Sequence, residues 1–141
     1  MYMVAIFILG IIASTSGFCP TYWRYFDKHC YIITKAKVTW NQARLNRCDY
    51  KTYSFNKWFK EQAFHSGERS YWIGASDLQH EGTFRWEGTG QTVRFTDWSP
   101  YQPDNYKRIE DCAHLWKNYG YRWNDTDCRS KISYICQRKA K

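Results

Sequence analysis

Two short stretches of the chain concentrate side-chain oxygens that could bind a metal ion. The first lies within residues 102–112 and reads Gln-Pro-Asp-Asn-Tyr and then, after three residues, Glu-Asp-Cys; the second is Trp123-Asn124-Asp125. Both offer carboxylate and amide oxygens, and hard divalent cations, calcium above all, bind such oxygens in number. We therefore predict that the two stretches meet in space and hold a Ca²⁺ ion, which in turn holds a ligand.

Paired carboxylates can also carry out acid–base chemistry, so an alternative is an enzyme in which Asp104 and Glu110 act as acid and base. A catalytic site needs a nucleophile or base held by an orienting group, and no such set stands out in the sequence. We predict that the protein is not an enzyme.

The first 17 residues predict a secretory signal peptide. An apolar run covers Val4 to Ala13, and small residues follow at positions 14–17, which suits cleavage near Gly17. The run is shorter than the roughly 20 residues that span a membrane. No Lys or Arg precedes it, so an uncleaved anchor is the alternative. We expect a mature, secreted domain over residues 18–141, without membrane insertion.

The net charge of +8 falls entirely on the predicted mature domain. The simpler interpretation of this charge is a soluble protein surface. The more specific one is attraction to anionic surfaces such as microbial envelopes or acidic glycans. The basic residues are scattered and form no recognisable nucleic-acid motif, so we predict no binding to nucleic acid.

Six cysteines follow the leader, which fits an oxidising compartment. The sequence alone leaves their pairing open. The absence of a Cys-x-x-Cys pair argues against zinc.

The periodicity of the chain predicts helices first and strands and loops afterwards, hence an α+β fold. The predicted elements are a hairpin of residues 22–26 and 30–33 around Asp27–His29, a helix from the cap Thr39 to Asn46 or Arg47, a helix from the cap Ser54 past Ala63, and strands near 71–74, 83–86, 92–95, 112–116, 121–123 and 132–136. Residues 97–110 show no periodicity and form a long, ordered loop, which is a usual place for function.

Taken in order, the motifs resemble the C-type lectin-like domain over nearly all of residues 18–141. They are Cys19-Pro20, Cys48 in the first helix, Trp72-Ile73-Gly74-Ala75, Gln102-Pro103-Asp104, Glu110-Asp111-Cys112, Trp123-Asn124-Asp125 and Tyr134-Ile135-Cys136. The resemblance implies the C-type lectin fold, with two helices flanking small antiparallel sheets, a long calcium-binding loop region and three disulfides. The implied pairs are Cys19–Cys30, Cys48–Cys136 and Cys112–Cys128.

The resemblance also implies the residues that bind calcium and sugar. The calcium ligands would be Gln102, Asp104, Glu110, Asn124 and Asp125, and the peptide bond before Pro103 would be cis. The sugar would contact Gln102, Asp104, Glu110 and Asn124. In the family, Gln-Pro-Asp goes with galactose and N-acetylgalactosamine, and Glu-Pro-Asn goes with mannose.

Tyr106 is the candidate ring for stacking on the sugar. Selective galactose binders of the family place Trp here and follow it with a glycine-rich loop, whereas this chain has Lys107-Arg108-Ile109. The alternative is a rim aromatic without sugar contact. The resemblance also implies an auxiliary calcium site that Glu110 would complete. Its candidate residues are Asp77, Glu81, Asn105 and Asp111. The alternative is that these residues belong to a solvated loop.

The sequence thus predicts a secreted, Ca²⁺-dependent lectin for terminal galactose or N-acetylgalactosamine, recognising glycans or microbial surfaces in innate defence. The alternative is a C-type lectin-like protein for a protein or other non-sugar ligand, including venom-type components. Any homo-oligomer would form through the domain itself. Asn124-Asp125-Thr126 is also a glycosylation triplet, and we expect it to stay unmodified because folding would bury the amide.

Overall fold

A computed structural model describes residues 18–45 and 56–141. The predicted signal peptide, Cys48, the end of the first predicted helix and the cap Ser54 lie outside these residues. In chain order the elements are β1 (Arg24–Phe26), β2 (His29–Ile33), α1 (Trp40–Leu45), α2 (Asn56–Ser66), β3 (Ser70–Ser76), β4 (Arg85–Trp86), β5 (Cys112–Trp116), β6 (Arg122–Thr126) and β7 (Ser133–Lys139). No helix among the described residues is long and apolar enough to cross a membrane.

The predicted hairpin is confirmed, with a turn of two residues. Phe26 pairs with His29, and Asp27 and Lys28 between them have φ values of 43° and 62°. Positive φ at both turn residues matches the right-handed twist of the two strands, and this is the commonest way to join adjacent antiparallel strands.

The N-terminus of α1 is closed by a reciprocal cap, which confirms Thr39 as the N-cap. The backbone N–H of Gln42 donates to Thr39 Oγ1 (3.3 Å), and the backbone N–H of Thr39 donates to Gln42 Oε1 (3.0 Å). Two N–H groups that the helix leaves without partners are satisfied in this way.

The strands form one mixed sheet in the order β1-β2-β7-β3-β5-β6, with β4 on β3. The predicted combination of two helices with a small sheet is confirmed, but the strands are not all antiparallel, because β7 runs parallel to β3 through Tyr71↔Ser133 and Trp72↔Tyr134. The predicted strand over residues 92–95 is wrong, since only Thr92 forms an isolated bridge, to Arg85.

Aromatic side chains fill the space between the sheet and the helices. Trp72, Trp123, Tyr71 and Tyr121 are among the largest fully buried side chains. Two buried indole N–H groups keep hydrogen bonds, since Trp40 donates to the carbonyl of Ile73 (3.0 Å) and Trp72 donates to that of Val38 (2.9 Å). The Trp123 Nε1 atom has no partner among the described residues. Rings of this size contribute much apolar burial.

Two predicted disulfides are confirmed. Cys19 is bonded to Cys30, and Cys112 at the start of β5 is bonded to Cys128 beyond β6. The third predicted bridge, Cys48–Cys136, involves a residue outside the described part of the chain.

The strand pair β5–β6 is the platform for the predicted calcium segments. In its register His114 lies opposite Asn124, and Ala113 lies opposite Asp125. The long loop begins on the same platform, because Trp123 donates its N–H to the carbonyl of Asp97 and accepts the N–H of Ser99 at its own carbonyl, both at 2.8 Å. The loop then ends at Cys112, the first residue of β5.

Candidate metal and sugar centre

Three carboxylates from the two predicted stretches meet in one place. Asp104, Glu110 and Asp125 each present an oxygen, and these atoms lie within 4.8 Å of one another. Asp125 is on β6 and is 1% exposed, whereas Asp104 is exposed in the loop. Like charges this close repel, so the arrangement favours either protonation or a bound cation.

Backbone N–H groups of the loop hold this centre in place. The Asp125 carboxylate accepts the N–H of Asp104 (3.2 Å) and of Asn105 (2.8 Å). Glu110 accepts the N–H of Tyr106 at 3.2 Å, and its own N–H donates to the side-chain oxygen of Asn105 at 3.1 Å. The loop is thus folded around the same carboxylates that would bind the metal.

The two predicted amide ligands, next to the cluster in sequence, have unpaired carbonyl oxygens. Within the described part of the chain, the buried atoms Gln102 Oε1 and Asn124 Oδ1 have no hydrogen-bond partner. The Asn124 nitrogen is occupied, because it donates to His114 Nε2 (3.1 Å) and to the carbonyl of Asp125. A buried acceptor without a donor costs about 1–3 kcal/mol, which a cation would offset.

The peptide bond between Gln102 and Pro103 is cis, as predicted. The residues present fit a calcium ion, because three carboxylates and two amide carbonyls are oxygen donors of the kind this ion prefers. Calcium takes about 6–8 oxygens, so this set would leave coordination places for a ligand.

Burial and mutual repulsion raise the pKa values in the centre. Burial raises the pKa of Glu110 to about 7, and the charges of Asp125 and Asp104 add to this effect. Burial also raises the pKa of Asp125, with the charge of Asp104 contributing. Protons and a metal ion therefore compete for the same oxygens.

Tyr106 lies at the exit of the loop and is 60% exposed. The Lys107 ammonium lies over its ring, 5.3 Å from the ring centre. A cation at this distance is attracted to the aromatic face and covers it. One face of the predicted stacking ring is therefore occupied by the chain itself, and sugar stacking at Tyr106 stays a prediction.

Three of the auxiliary candidates, Asp77, Glu81 and Asp111, lie near one another in a looser group. Asp77 is buried, its Oδ2 accepts the N–H of Gly82 (2.8 Å), and its own N–H donates to the carbonyl of Asp111 (3.1 Å). Burial raises the pKa of Asp77 to about 6, and the charges of Glu81 and Asp111 add to it. Among described residues, only Asp104, Glu110 and Asp125 meet as a tight acidic cluster, so the auxiliary site stays a prediction.

His114 supports the centre and was missed from sequence. It is buried between strands and accepts from Asn124, and burial lowers its pKa to about 4. A neutral imidazole can accept this hydrogen bond, and the bond fixes which end of the amide is occupied. Only the β5–β6 register places His114 opposite Asn124, and no local pattern gives that register.

The Lectin C-type domain matches residues 36–138 of the chain. The chain belongs to the C-type lectin domain family. This is a non-enzymatic kind of domain, and its members generally bind Ca²⁺.

Individual relatives and solved structures agree with this assignment. "Salivary C-type lectin 2" of Aedes albopictus is 43% identical over 82 residues, which cover 55% of this chain and 54% of that protein. "Perlucin" of Haliotis laevigata is 34% identical over 134 residues, covering 94% and 72%. The carbohydrate-recognition domain of the mouse scavenger receptor C-type lectin superposes with a TM-score of 0.77 at 29% identity, covering 87% and 98%. The chain thus spans about half of the salivary lectin.

Replacing Glu110 by Gln should change the pH dependence of stability in chelator. The folded-state pKa of Glu110, about 7, exceeds its ordinary value of 4.5, so the folded chain binds more protons than the unfolded chain between these values. Glu110 therefore destabilises the metal-free protein increasingly as pH rises through this window. We expect Glu110→Gln to gain Tm relative to wild type between about pH 5 and about pH 7.5.

His114 affects the pH dependence in the opposite direction, because its lowered pKa makes the stability of the folded protein rise with pH. Comparing the variant with wild type cancels this contribution, which both proteins share. Glu61→Gln, which removes an exposed glutamate on α2, is the charge-matched control. In excess calcium the sign should reverse, because the ionised Glu110 then binds metal. A Tm difference between Glu110→Gln and wild type that does not change with pH in chelator would contradict the proposed crowding of carboxylates.

Asn124 should carry no glycan in protein secreted from eukaryotic cells. Its side chain is 8% exposed, and its nitrogen makes two hydrogen bonds inside the fold. A sugar on that nitrogen would replace one of its two hydrogens, so at least one of these bonds would be lost, and it would place a bulky group at a buried position on β6. Intact-mass analysis before and after glycosidase treatment should show one mass, and Thr126→Ala should secrete protein without a glycan-sized mass change. Full occupancy at Asn124 in folded protein would refute this placement.

Proposed function

We propose that this domain is a secreted, calcium-dependent lectin for terminal galactose and N-acetylgalactosamine. The observation that carries the proposal is the meeting of three carboxylates within 4.8 Å of one another. Two residues close to them in sequence, Gln102 and Asn124, have buried amide oxygens without partners among the described residues. Residues 102, 104, 110, 124 and 125 would hold the ion. The membership of the chain in the C-type lectin domain family supports a carbohydrate as the ligand.

The side chains of the centre have complementary hydrogen-bonding roles toward a sugar. Calcium, when bound, supplies positive charge that attracts the lone pairs of neighbouring hydroxyl groups. The carboxylates of Asp104 and Glu110 accept hydroxyl protons, and the amide group of Gln102 donates to a hydroxyl oxygen. Both N–H groups of Asn124 are used within the fold, so its contribution is the carbonyl oxygen. A diol with the matching pattern of donors and acceptors is bound in one orientation only.

The order of amide and acid selects the galactose type. Gln102 precedes Pro103 and Asp104 follows it, so the donor lies on one side of the proline and the acceptor on the other. Exchanging them would reverse the pattern offered to the sugar, and in the family the reversed order goes with mannose. This chain has the order that goes with galactose.

Secretion and avidity complete the proposal. Residues 1–17 would direct export, leaving the domain of residues 18–141, and the salivary relative is named for a secreted fluid. The net charge of +8 would favour anionic microbial surfaces in innate defence. Because single lectin sites bind weakly, a homo-oligomer would gain affinity by engaging several sugars at once.

A glycan array probed with and without calcium tests the proposal. The expected result is binding to terminal galactose and N-acetylgalactosamine in Ca²⁺, with loss of signal in chelator. Folded, calcium-loaded protein that binds no glycan would favour the alternative of a non-sugar ligand. Glycan binding that persists in chelator would contradict the bridging role of the ion.

The double variant Gln102→Glu with Asp104→Asn should exchange the selectivity of the site. It keeps the set of oxygens and the net charge but reverses donor and acceptor. We expect galactose affinity to fall about tenfold or more, because mispaired groups are left in the site, and mannose affinity to rise. Calorimetric titration with both sugars measures the change.

Gln91→Glu with Glu61→Gln is the matched control, because it makes the same two types of exchange at exposed positions away from the centre. It should bind both sugars as wild type does. Unchanged galactose preference in the Gln102/Asp104 variant would show that this pair does not set the selectivity.

A further inference from the structure

Tyr101 has a backbone conformation that is energetically unfavourable for a tyrosine. The N–H of Gln102 donates to the carbonyl of Ser99 at 3.1 Å, which closes a turn with Pro100 second and Tyr101 third. The φ of Tyr101 is 66°. A proline at the second position of the turn and a positive φ at the third are typical of a type II turn, whose third position favours glycine.

No packing interaction explains why a tyrosine occupies this position. Its side chain is 96% exposed. Among the described residues, no aromatic ring or cation lies over the Tyr101 ring, in contrast to Tyr106, whose ring is under Lys107. Tyr22 shares this backbone conformation and exposure, so the feature that distinguishes Tyr101 is its place directly before Gln102, in the loop of the carboxylate centre. Strained residues cluster at ligand sites.

The turn is fixed to the strand that carries the metal ligands. Ser99 is buried, and its N–H donates to the carbonyl of Trp123 at 2.8 Å. Trp123 directly precedes Asn124 and Asp125 on β6. The Tyr101 α-carbon is one residue, about 3.8 Å, from that of Gln102. The turn therefore presents a large exposed ring one residue before Gln102.

We propose that Tyr101 determines specificity by stacking on the sugar residue linked to the one in the calcium centre. This inference rests on the proposed lectin function. An aromatic face packs against the C–H face of a sugar, and a tyrosine side chain has only two χ angles to fix on binding. The domain therefore prefers a galactose-terminated disaccharide over free galactose by an amount that depends on this ring.

The test compares Tyr101→Gly with wild type for galactose and for lactose, in which galactose is linked to glucose. We expect galactose affinity to stay the same and lactose affinity to fall about three- to tenfold. The Tm in chelator should not fall, because glycine adopts the positive φ without strain. Tyr101→Phe keeps the ring and should keep the lactose preference.

Tyr22→Gly is the matched control. Tyr22 has a φ of 69°, is 89% exposed, and is the third residue of a turn closed by the N–H of Trp23 and the carbonyl of Pro20 at 2.9 Å. It precedes β1, at the edge of the sheet opposite to β6. Its replacement should leave the affinity for both sugars unchanged.

The outcomes separate this inference from the proposed function. Wild type that binds neither galactose nor lactose in calcium would overturn both. Wild type that binds them while Tyr101→Gly binds lactose equally well would overturn only the role of Tyr101. A parallel loss of galactose and lactose affinity would also overturn it, because the change would then act on the centre through Gln102.

Discussion

The mutual repulsion of three confined carboxylates is the constraint on which the loop and the centre depend. Asp104, Glu110 and Asp125 bring oxygens within 4.8 Å of one another, and one of them is almost fully buried. The N–H groups of the loop donate to Asp125 and Glu110 but supply no net charge. The remaining negative charge requires protons or a cation, and burial raises the pKa of Glu110 to about 7, so near neutral pH a metal ion would have to displace a proton from this group.

The fold meets this constraint by combining a rigid strand with an irregular loop. Asn124 and Asp125 are fixed by the β5–β6 ladder, by His114 and by the disulfide from Cys112 to Cys128. The loop supplies Gln102, Asp104 and Glu110, and its entry is bonded to the carbonyl and N–H of Trp123. Candidate ligands far apart in sequence thus share one support, which limits the conformational entropy that metal and sugar binding would have to overcome. The outer surface of the same loop is free to present side chains such as Tyr101 to a larger glycan.

Features carried by local sequence were predictable. Thr39 and Gln42 form a capping pair, Asp27 and Lys28 form a hairpin turn, and the oxygen-rich stretches identified the centre. Features that depend on register or long-range pairing were not. The contact of His114 with Asn124 follows from how β5 aligns with β6, and the parallel pairing of β3 with β7 joins segments about half the chain apart. Residues 92–95 have strand-like composition but find only one bridging partner. The positive φ of Tyr101 escaped prediction because a turn normally announces that geometry with glycine.

The central claim is that this cluster of carboxylates binds calcium, and calorimetric titration of Ca²⁺ into chelator-treated protein near pH 7 tests it most directly. The account predicts saturable binding whose heat varies with the ionisation enthalpy of the buffer, because Glu110 must release its proton as the ion enters. It also predicts that Asp125→Asn abolishes this binding, whereas Glu61→Gln leaves it intact. Binding of the same strength in wild type and Asp125→Asn, or no binding in wild type, would contradict the account.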